Sequence, residues 1–337
     1  GMCDRGLYLA IDPYLEAEGV DLHDEFYDFA VDEAMMWKGK TYGISEFSHP
    51  GLVGVYINKG LYDEAGIPYP SWEITFDGMM ENAIALTKDT NGDGKTDQWG
   101  WQMPSGDLWF PYFYSFGGYW FSDDGTKATL DSEGNMKALQ WIYDIGYKHK
   151  AAVTAELMQE NTTFMFSSGM MAAMHGYYGT KFSLDKSVGT KFDWMATPFP
   201  YNPGTDDKDN RVAHIHTGPQ GIYVSTKHPE EAYRWLRYLT GYEASMVRAR
   251  ANFTLTPRPD VWEDPDLMAR PHHQMFIKYY QSKNAHILRT PANLRVLELI
   301  NTLKAVLDPI ASGSQTPQEA ISDIQAKLQT VLDKPKP

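Results

Sequence analysis

The loop DTNGDGKTDQWG, residues Asp89 to Gly100, has the residue types and spacing of a calcium-binding loop. Its oxygen-bearing side chains fall at positions 1, 3, 5 and 9 and a glycine falls at position 6, as in an EF-hand. The predicted ligands are Asp89, Asn91, Asp93 and Asp97, the backbone carbonyl of Lys95, and a further oxygen from Gln98. Because calcium is a hard cation that prefers oxygen ligands, the loop predicts a bound Ca²⁺.

Two features of this loop argue against a calcium switch. Gly100 stands at position 12, where an EF-hand carries a bidentate glutamate. The segment WGWQM reads as a strand, whereas a switch requires a second paired helix. We therefore interpret the stretch as a structural calcium loop that follows a helix from about Thr75 to Lys88. The alternative is a polar turn whose Asn-Gly and Asp-Gly steps need no metal.

Composition limits the classes of function. A chain of 337 residues is long for one core and predicts about two domains. The formal net charge of −14 argues against nucleic acid or an anionic membrane as partner and leaves neutral or cationic ligands. Aromatic residues make up 14% of the chain, and many of them stand beside polar and glycine residues. Such amphipathic rings suit a half-wet pocket, although core packing must account for most of them.

Three further sequence signals are absent. The single cysteine, Cys3, excludes an internal disulfide and a cysteine-rich metal site. No apolar run reaches the roughly 18 residues of a membrane span, and no signal peptide opens the sequence. Enzyme motifs such as a Gly-x-Ser-x-Gly elbow, a phosphate loop or a His-Glu-x-x-His helix do not occur.

The elements that must position these residues alternate between helices and strands. One helix is predicted from Pro229 to Gly241, with its apolar face formed by Ala232, Trp235, Leu236 and Leu239. Another begins at Thr316, where Glu319 completes a capping box. Short apolar strands are predicted at 52–58, 170–176 and 221–225. This alternation predicts an α/β fold with a mostly parallel sheet.

Four blocks in this order resemble one family. They are WKGKTYGISEFSHPGLVGVYINKGLYDEAGIPYPSWEITFDGM (37–79), MFSSGMMAAMHGYYG (165–179), GPQGIYVSTKHPEEAYRWLRYLTGYE (218–243) and ASGSQTPQEAISDIQAKL (311–328). The ordered set resembles the extracellular solute-binding proteins of bacterial ABC sugar importers, of which maltose-binding protein is the best-known member. Together the blocks span nearly the whole chain.

The resemblance implies a two-lobed α/β fold of the periplasmic-binding-protein type (type II), in which the lobes close over a sugar by a hinge motion. We expect a first lobe from 1–47 and 218–282 and a second lobe from 48–217 and 283–337. The family's export signal and opening βαβ units precede the point where this sequence begins. We therefore expect the first lobe and its sheet to be incomplete.

The resemblance also implies a binding role without catalysis. The expected partners are a neutral mono- or oligosaccharide and the membrane permease subunits, and the expected state is a monomer. The expected location is extracytoplasmic, either periplasmic or lipid-anchored on the outer face, with the export signal absent from this sequence. No cofactor for chemistry is expected beside the structural calcium.

Sugar hydroxyls need planar hydrogen-bonding groups, and the apolar face of a sugar needs aromatic rings. At the first lobe crossing we expect contacts from Glu46 and His49. In the segment SGDLWFPYFYSFGGYW we expect a hydroxyl contact from Asp107 and stacking from Trp109 or Tyr112. The predicted strand of the second block ends at Gly176, at the end that faces the cleft in the family. Of Tyr177 and Tyr178, which follow it, one is expected to stack on the sugar and the other to pack in the core.

The second lobe crossing, HIHTGPQG from His214 to Gly221, contains two histidines separated by one residue. We expect strand alternation to point them to opposite faces, which disfavours a metal site. Instead one histidine, His216, is expected to contact a hydroxyl together with Gln220. Gly218 and Gly221 are expected to permit close backbone approach.

Two other classes of function stay open from the sequence. A carbohydrate-active enzyme would need two carboxylates roughly 5–9.5 Å apart across the cleft, and the family blocks offer at most Glu46 and Asp107. A calcium-dependent interaction module would respond to calcium removal by a change in partner binding.

Overall fold

The computed structural model describes residues 2–51, 53–105, 108–122, 124–154, 162–205, 208–209, 211, 213–251, 255–283, 285–287 and 295–335. Its strands are β1 (Met36–Trp37), β2 (Lys40–Thr41), β3 (Gly43–Pro50), β4 (Gly54–Asn58), β5 (Trp101–Gln102), β6 (Ala152–Val153), β7 (Ala173–Gly176), β8 (Trp194–Pro198), β9 (Ala213–Gly221) and β10 (Ala285–Ile287).

The helices alternate with these strands through most of the chain. They are α1 (Asp12–Glu18), α2 (Asp28–Ala30), α3 (Lys59–Ala65), α4 (Phe76–Leu86), α5 (Trp109–Ser115), α6 (Glu133–Tyr143), α7 (Thr162–Ser167), α8 (Thr180–Ser187), α9 (Pro229–Thr240), α10 (Tyr242–Arg250), α11 (Pro259–Trp262), α12 (Pro265–Met268), α13 (Pro271–Tyr280), α14 (Val296–Ala311) and α15 (Pro317–Leu332). Short π-helical turns at Val31–Met35 and Asp144–Lys148 extend α2 and α6, and a 3₁₀ turn covers Leu22–Asp24.

The strand pairing differs from the parallel sheet that the sequence predicts. In one three-stranded sheet, β4 pairs antiparallel with both β7 and β8. In the other, β9 pairs antiparallel with β3 and parallel with β10. The fifth and sixth strands form a short parallel pair. A continuous apolar run indicates that both faces of a strand are buried, and β4 is indeed buried at every position. Neither such a run nor alternation with helices indicates the direction of the strand.

Two of the three predicted strands are confirmed, at 54–58 and 173–176. The third, 221–225, is wrong, because β9 ends at Gly221 and only the bridge between Tyr8 and Tyr223 follows it. The strand occupies 213–221 instead, a stretch whose two glycines and proline are depleted in strands.

The helix boundaries follow the local signals. Thr75 caps α4 by accepting from the Gly78 N–H, and Thr316 with Glu319 forms the expected capping box on α15. Pro229 opens α9 and Gly241 follows its last residue. The predicted buried face of α9 is wrong in part, since Tyr233, Leu236 and Thr240 are buried while Trp235 is 60% exposed.

The described core forms two clusters of buried residues. The smaller cluster contains Ile11, Leu15, Leu22, Phe26, Ala30, Val31, Met35, Ile44, Ile222, Tyr233 and Leu236. The larger cluster is built around β4 and continues through α4–α6 to α15. It also includes the buried residues between Met246 and Tyr280, although the sequence-based boundaries placed this segment in the first lobe. The lobe boundaries and the incomplete first-lobe sheet therefore stay predictions.

Within the part of the chain that the structure describes, none of the helices has the length and apolar character needed to cross a membrane.

Candidate functional site

Two paired strands, β3 and β9, run between the two core clusters, and we call them the crossing strands. Ile44 near the start of β3 belongs to the smaller cluster, and Val53 just after its end belongs to the larger one. Ile215 in β9 belongs to the larger cluster, and Ile222 just beyond β9 belongs to the smaller one. Side chains on these strands therefore stand where the two clusters meet.

A group of histidines lies on the crossing strands. His49 and His216 are directly opposite each other in the antiparallel register, with ring centroids 5.3 Å apart. The ring of His214 lies 4.9 Å from that of His216. The expectation that His214 and His216 point to opposite faces is wrong, because residues two apart along a strand share a face. We call these three residues the histidine cluster.

Two members of the histidine cluster, His49 and His214, are uncharged at neutral pH. Burial, followed by the nearby His216, lowers the pKa of His49 to about 4. Burial lowers the pKa of His214 to about 3, again with His216 as the next cause. His214 Nδ1 donates to the Gly51 carbonyl at 3.0 Å, so its buried Nε2 is the acceptor nitrogen. Neutral imidazoles each offer one donor and one acceptor, which suits hydroxyl groups.

Tyr177 extends the histidine cluster with an aromatic ring. It follows β7 directly, its ring centroid lies 5.2 Å from that of His49, and the residue is 44% exposed. Its backbone is fixed at both ends: the N–H donates to Thr180 Oγ1 at 3.1 Å, and the carbonyl accepts from Tyr56 Oη at 3.0 Å. An exposed ring on a fixed backbone is a suitable stacking surface, because little conformational freedom remains to be lost on binding.

Tyr178, the alternative stacking candidate, is buried. Its hydroxyl lies 3.1 Å from His273 Nδ1, and His273 Nε2 donates to the Trp262 carbonyl at 2.7 Å. Its ring packs edge-on against Trp262 and Phe276. The ring of Tyr177 is therefore exposed and that of Tyr178 is buried, a choice that the sequence left open.

Trp109 and Tyr112 lie in the core, so the expectation of a stacking ring at either position is not supported. Both are on α5, in which every residue is buried. Tyr112 Oη accepts from Trp101 Nε1 at 2.9 Å and lies 2.8 Å from His175 Nε2. An aromatic-rich segment signals apolar burial as readily as a binding face, and here burial prevails. Asp107, from the same segment, lies outside the described residues.

Glu46 and Gln220 lie farther along the crossing strands. Glu46 is the extra residue of a β-bulge, since the register passes from Ser45 opposite Pro219 to Phe47 opposite Gly218. Its carbonyl accepts from Arg248 Nη2 at 3.2 Å. Bulges redirect side chains and often lie beside functional sites. Gln220 is exposed and four residues beyond His216, so the structure does not bring it into the histidine cluster.

The loop from Asp89 to Asp97 is closed by its own hydrogen bonds. Asp89 accepts from the N–H groups of Gly92 and Gly94, and these backbone bonds, that from Gly94 first, lower the pKa of Asp89. Asp97 accepts from the N–H groups of Thr90 and Asn91. Within the described residues, no three carboxylate, imidazole or thiol side chains are grouped as metal ligands would be. This geometry does not by itself fit a calcium site, and calcium binding by Asp89, Asn91, Asp93, Lys95, Asp97 and Gln98 stays a prediction.

The sequence did not single out His214 as a contact, nor Gly51 and Gly179, which lie under the rings of His216 and Tyr177. The spacing His-x-His within a strand is the signal for His214, because side chains two residues apart on a strand lie on the same face. The predicted close approach at Gly218 and Gly221 is present: a Cβ on Gly218 would lie 2.0 Å from the Phe47 ring, and one on Gly221 would lie 2.9 Å from the Tyr42 carbonyl.

Comparison with known proteins identifies the family of this chain. Residues 2–246 match the family model described as bacterial extracellular solute-binding protein. The arabinooligosaccharide-binding protein of Halalkalibacterium halodurans is 29% identical over 243 residues, which cover 67% of this chain and 50% of the relative. The match therefore spans about half the length of that curated relative.

Solved structures share the fold. An ABC substrate-binding protein from Listeria monocytogenes in complex with cycloalternan has a TM-score of 0.82 at 20% identity, covering 98% of this chain and 81% of that chain. UgpB from Mycobacterium tuberculosis in complex with glycerophosphocholine has a TM-score of 0.80 at 17% identity, covering 98% and 80%. These likenesses confirm the two-lobed α/β fold and leave the ligand open.

Proposed function

This chain belongs to the bacterial extracellular solute-binding proteins, and we propose that it is the non-catalytic component of an ABC importer that captures a neutral carbohydrate between its lobes. The observation that carries the proposal is the position of Tyr177, a half-exposed ring 5.2 Å from His49 on the strands that run between the two cores. A ligand bound there touches both crossing strands, so its contacts favour one arrangement of the lobes.

The chemistry of the histidine cluster supports a neutral ligand. The uncharged imidazole of His49, with His216 opposite it, can exchange hydrogen bonds with vicinal hydroxyls, and the Tyr177 ring can cover the apolar face of a sugar. A phosphodiester such as glycerophosphocholine needs a cationic partner. Arg248, whose guanidinium reaches the Glu46 carbonyl on β3, already donates to the carbonyls of Glu46 and Leu239. The relative from Halalkalibacterium halodurans is an arabinooligosaccharide-binding protein, and we extend the oligosaccharide class to this chain as a proposal.

Family membership also guides location and partners. The family is extracellular, so the protein acts outside the cytoplasm, and we propose periplasmic or lipid-anchored placement, permease subunits as docking partners and a monomeric state. The family binds solutes and does not transform them. Membership in it therefore favours a binding protein over the carbohydrate-active enzyme that the sequence left open.

The proposal is tested by calorimetric titration of the protein with arabinotriose, maltotriose, mannotriose and glycerophosphocholine. We expect binding of at least one sugar, no binding of glycerophosphocholine, and no new products by chromatography after incubation. Replacement Tyr177→Ala is expected to weaken sugar binding by about threefold to tenfold, since an aromatic contact contributes on the order of 0.5–1.5 kcal/mol.

The matched control is Tyr238→Ala, which removes an exposed tyrosine on α9. We expect it to leave sugar affinity unchanged. Equal losses in the two variants, or full affinity in Tyr177→Ala, would show that Tyr177 does not contact the ligand.

A further inference from the structure

Two of the rings in the candidate site lie directly on glycine backbone. A Cβ placed on Gly179 would lie 2.8 Å from Cε2 of Tyr177, and a Cβ placed on Gly51 would lie 2.8 Å from Cδ2 of His216. Real Cβ atoms essentially never approach other atoms this closely, so either ring would have to move if its glycine carried a side chain.

Neither glycine is explained by an unusual backbone conformation. Gly179 has φ −75° and ψ −10°, which any residue adopts, and it stands at the N-cap of α8 without a capping side chain. Neither Gly51 nor Gly179 is among the glycines with positive φ. These positions therefore do not require the conformational freedom of glycine; they require its lack of a side chain.

The rest of the Tyr177 environment leaves the ring as the only part free to shift. Its N–H and carbonyl are held by Thr180 and Tyr56, and the next residue, Tyr178, is locked by His273. A methyl group at position 179 would consequently displace the exposed ring instead of the backbone. The His216 ring also lies against a fixed glycine backbone, since the N–H and carbonyl of Gly51 both pair with His214.

We propose that Gly179 and Gly51 are positioning residues, which set the depth and tilt of the Tyr177 and His216 rings and so determine how closely a ligand approaches the crossing strands. This inference rests on the proposed function for its consequence in binding. The position of the rings is a property of the ligand-free protein and can be measured without any sugar.

The experiment compares the full chain with Gly179→Ala, Gly51→Ala and the control Gly60→Ala. Gly60 lies on the exposed side of α3, where the nearest atom to an added Cβ is Asn58 Oδ1 at 3.4 Å. The first measurement is the nuclear Overhauser effect between the His49 and Tyr177 ring protons in the absence of ligand. We expect it in the wild type and in Gly60→Ala, and we expect it to be lost or strongly reduced in Gly179→Ala.

The second measurement is affinity for whichever trisaccharide of the panel the wild type binds. We expect a threefold to tenfold loss in Gly179→Ala, the size of one aromatic contact, with a melting temperature within about 2 °C of the wild type. Gly51→Ala is expected to lose a similar amount of affinity, with the His49 to Tyr177 effect retained because its clash is with His216.

The outcomes separate this inference from the proposed function. An unchanged ring-to-ring effect in Gly179→Ala overturns the inference whatever the sugar result. Absence of sugar binding by the wild type overturns the proposed function, and the ring-to-ring effect alone then decides whether Gly179 positions Tyr177.

Discussion

His49 and His216 lie directly opposite each other on β3 and β9, with their ring centroids 5.3 Å apart. The pair joins the two strands that connect the cores, and Tyr177 extends it toward solvent. Burial favours the neutral form of His49, so this imidazole offers hydrogen-bonding capacity without charge. This relationship leads to a prediction about pH.

The stability of the protein should fall as the pH is lowered from about 6.5 to about 4. The folded-state pKa values of His49, about 4, and His214, about 3, lie below the usual value near 6.5. Above pH 6.5 both states are neutral, whereas between the two pKa values the unfolded state binds a proton that the folded state does not. Each such group then lowers the free energy of unfolding by about 1.4 kcal/mol per pH unit.

Urea unfolding at pH 7, 6, 5 and 4 measures this slope, and His214→Gln is expected to reduce it. The control His228→Gln removes an exposed histidine and should leave the slope unchanged. A slope in His214→Gln equal to that of the wild type would mean that His214 is not held neutral by the fold.

Tyr112→Phe should destabilise the protein without affecting ligand affinity. The substitution removes the hydroxyl that joins Trp101 and His175 and leaves both of these buried polar groups without that partner. The expected loss is about 1–3 kcal/mol in the free energy of unfolding, measured with urea. A loss of affinity at unchanged stability would instead return Tyr112 to the ligand site. Tyr238→Phe, at an exposed tyrosine, is the control.

Calcium should raise the melting temperature of chelator-treated protein if the loop from Asp89 to Asp97 binds it, because a ligand specific for the folded state stabilises that state. The rise should disappear in Asp93→Asn and persist in the control Asp131→Asn, at an exposed residue outside the loop. Sugar affinity should not respond to calcium. No shift at millimolar calcium would favour a turn closed by its own hydrogen bonds.

Thr316→Ala should weaken α15 at its N-terminus. The Thr316 hydroxyl accepts from the Glu319 N–H, and the Glu319 carboxylate accepts from the Thr316 N–H. The substitution therefore breaks a complete capping box. The expected loss is about 1 kcal/mol in the free energy of unfolding. Thr330→Ala, near the other end of the same helix, removes only a bond to the Ala326 carbonyl and should cost less. Equal losses in the two variants would contradict the capping role.

The α9 helix shows where prediction from sequence succeeds and where it stops. Pro229 and Gly241 mark its ends correctly because both act on their own backbone. The apolar spacing could not choose between faces, because Trp235 and Tyr238 are as apolar as Tyr233 and Leu236. Only the position of neighbouring elements places the second pair inside, leaving Trp235 and Tyr238 stacked on each other at the surface.

The aromatic segment around Tyr112 and the tyrosine pair illustrate the same limit at the site. The sequence predicts that one of Tyr177 and Tyr178 stacks on the ligand and leaves open which one is exposed. That choice depends on His273 and Trp262, almost a hundred residues away along the chain, which enclose the ring of Tyr178. For α5 the sequence could not distinguish core from cleft, because apolar rings serve both.

By itself, the sequence determined the family, the two-lobed α/β class and the helix ends, since ordered motifs, capping residues and glycine punctuation act through contacts a few residues apart. The tertiary structure alone decided the antiparallel pairing of β4, the position of His49 opposite His216, and the exposure of Tyr177. These features depend on which distant segments lie side by side, and that is settled by packing and backbone pairing between elements, for which local spacing carries no information.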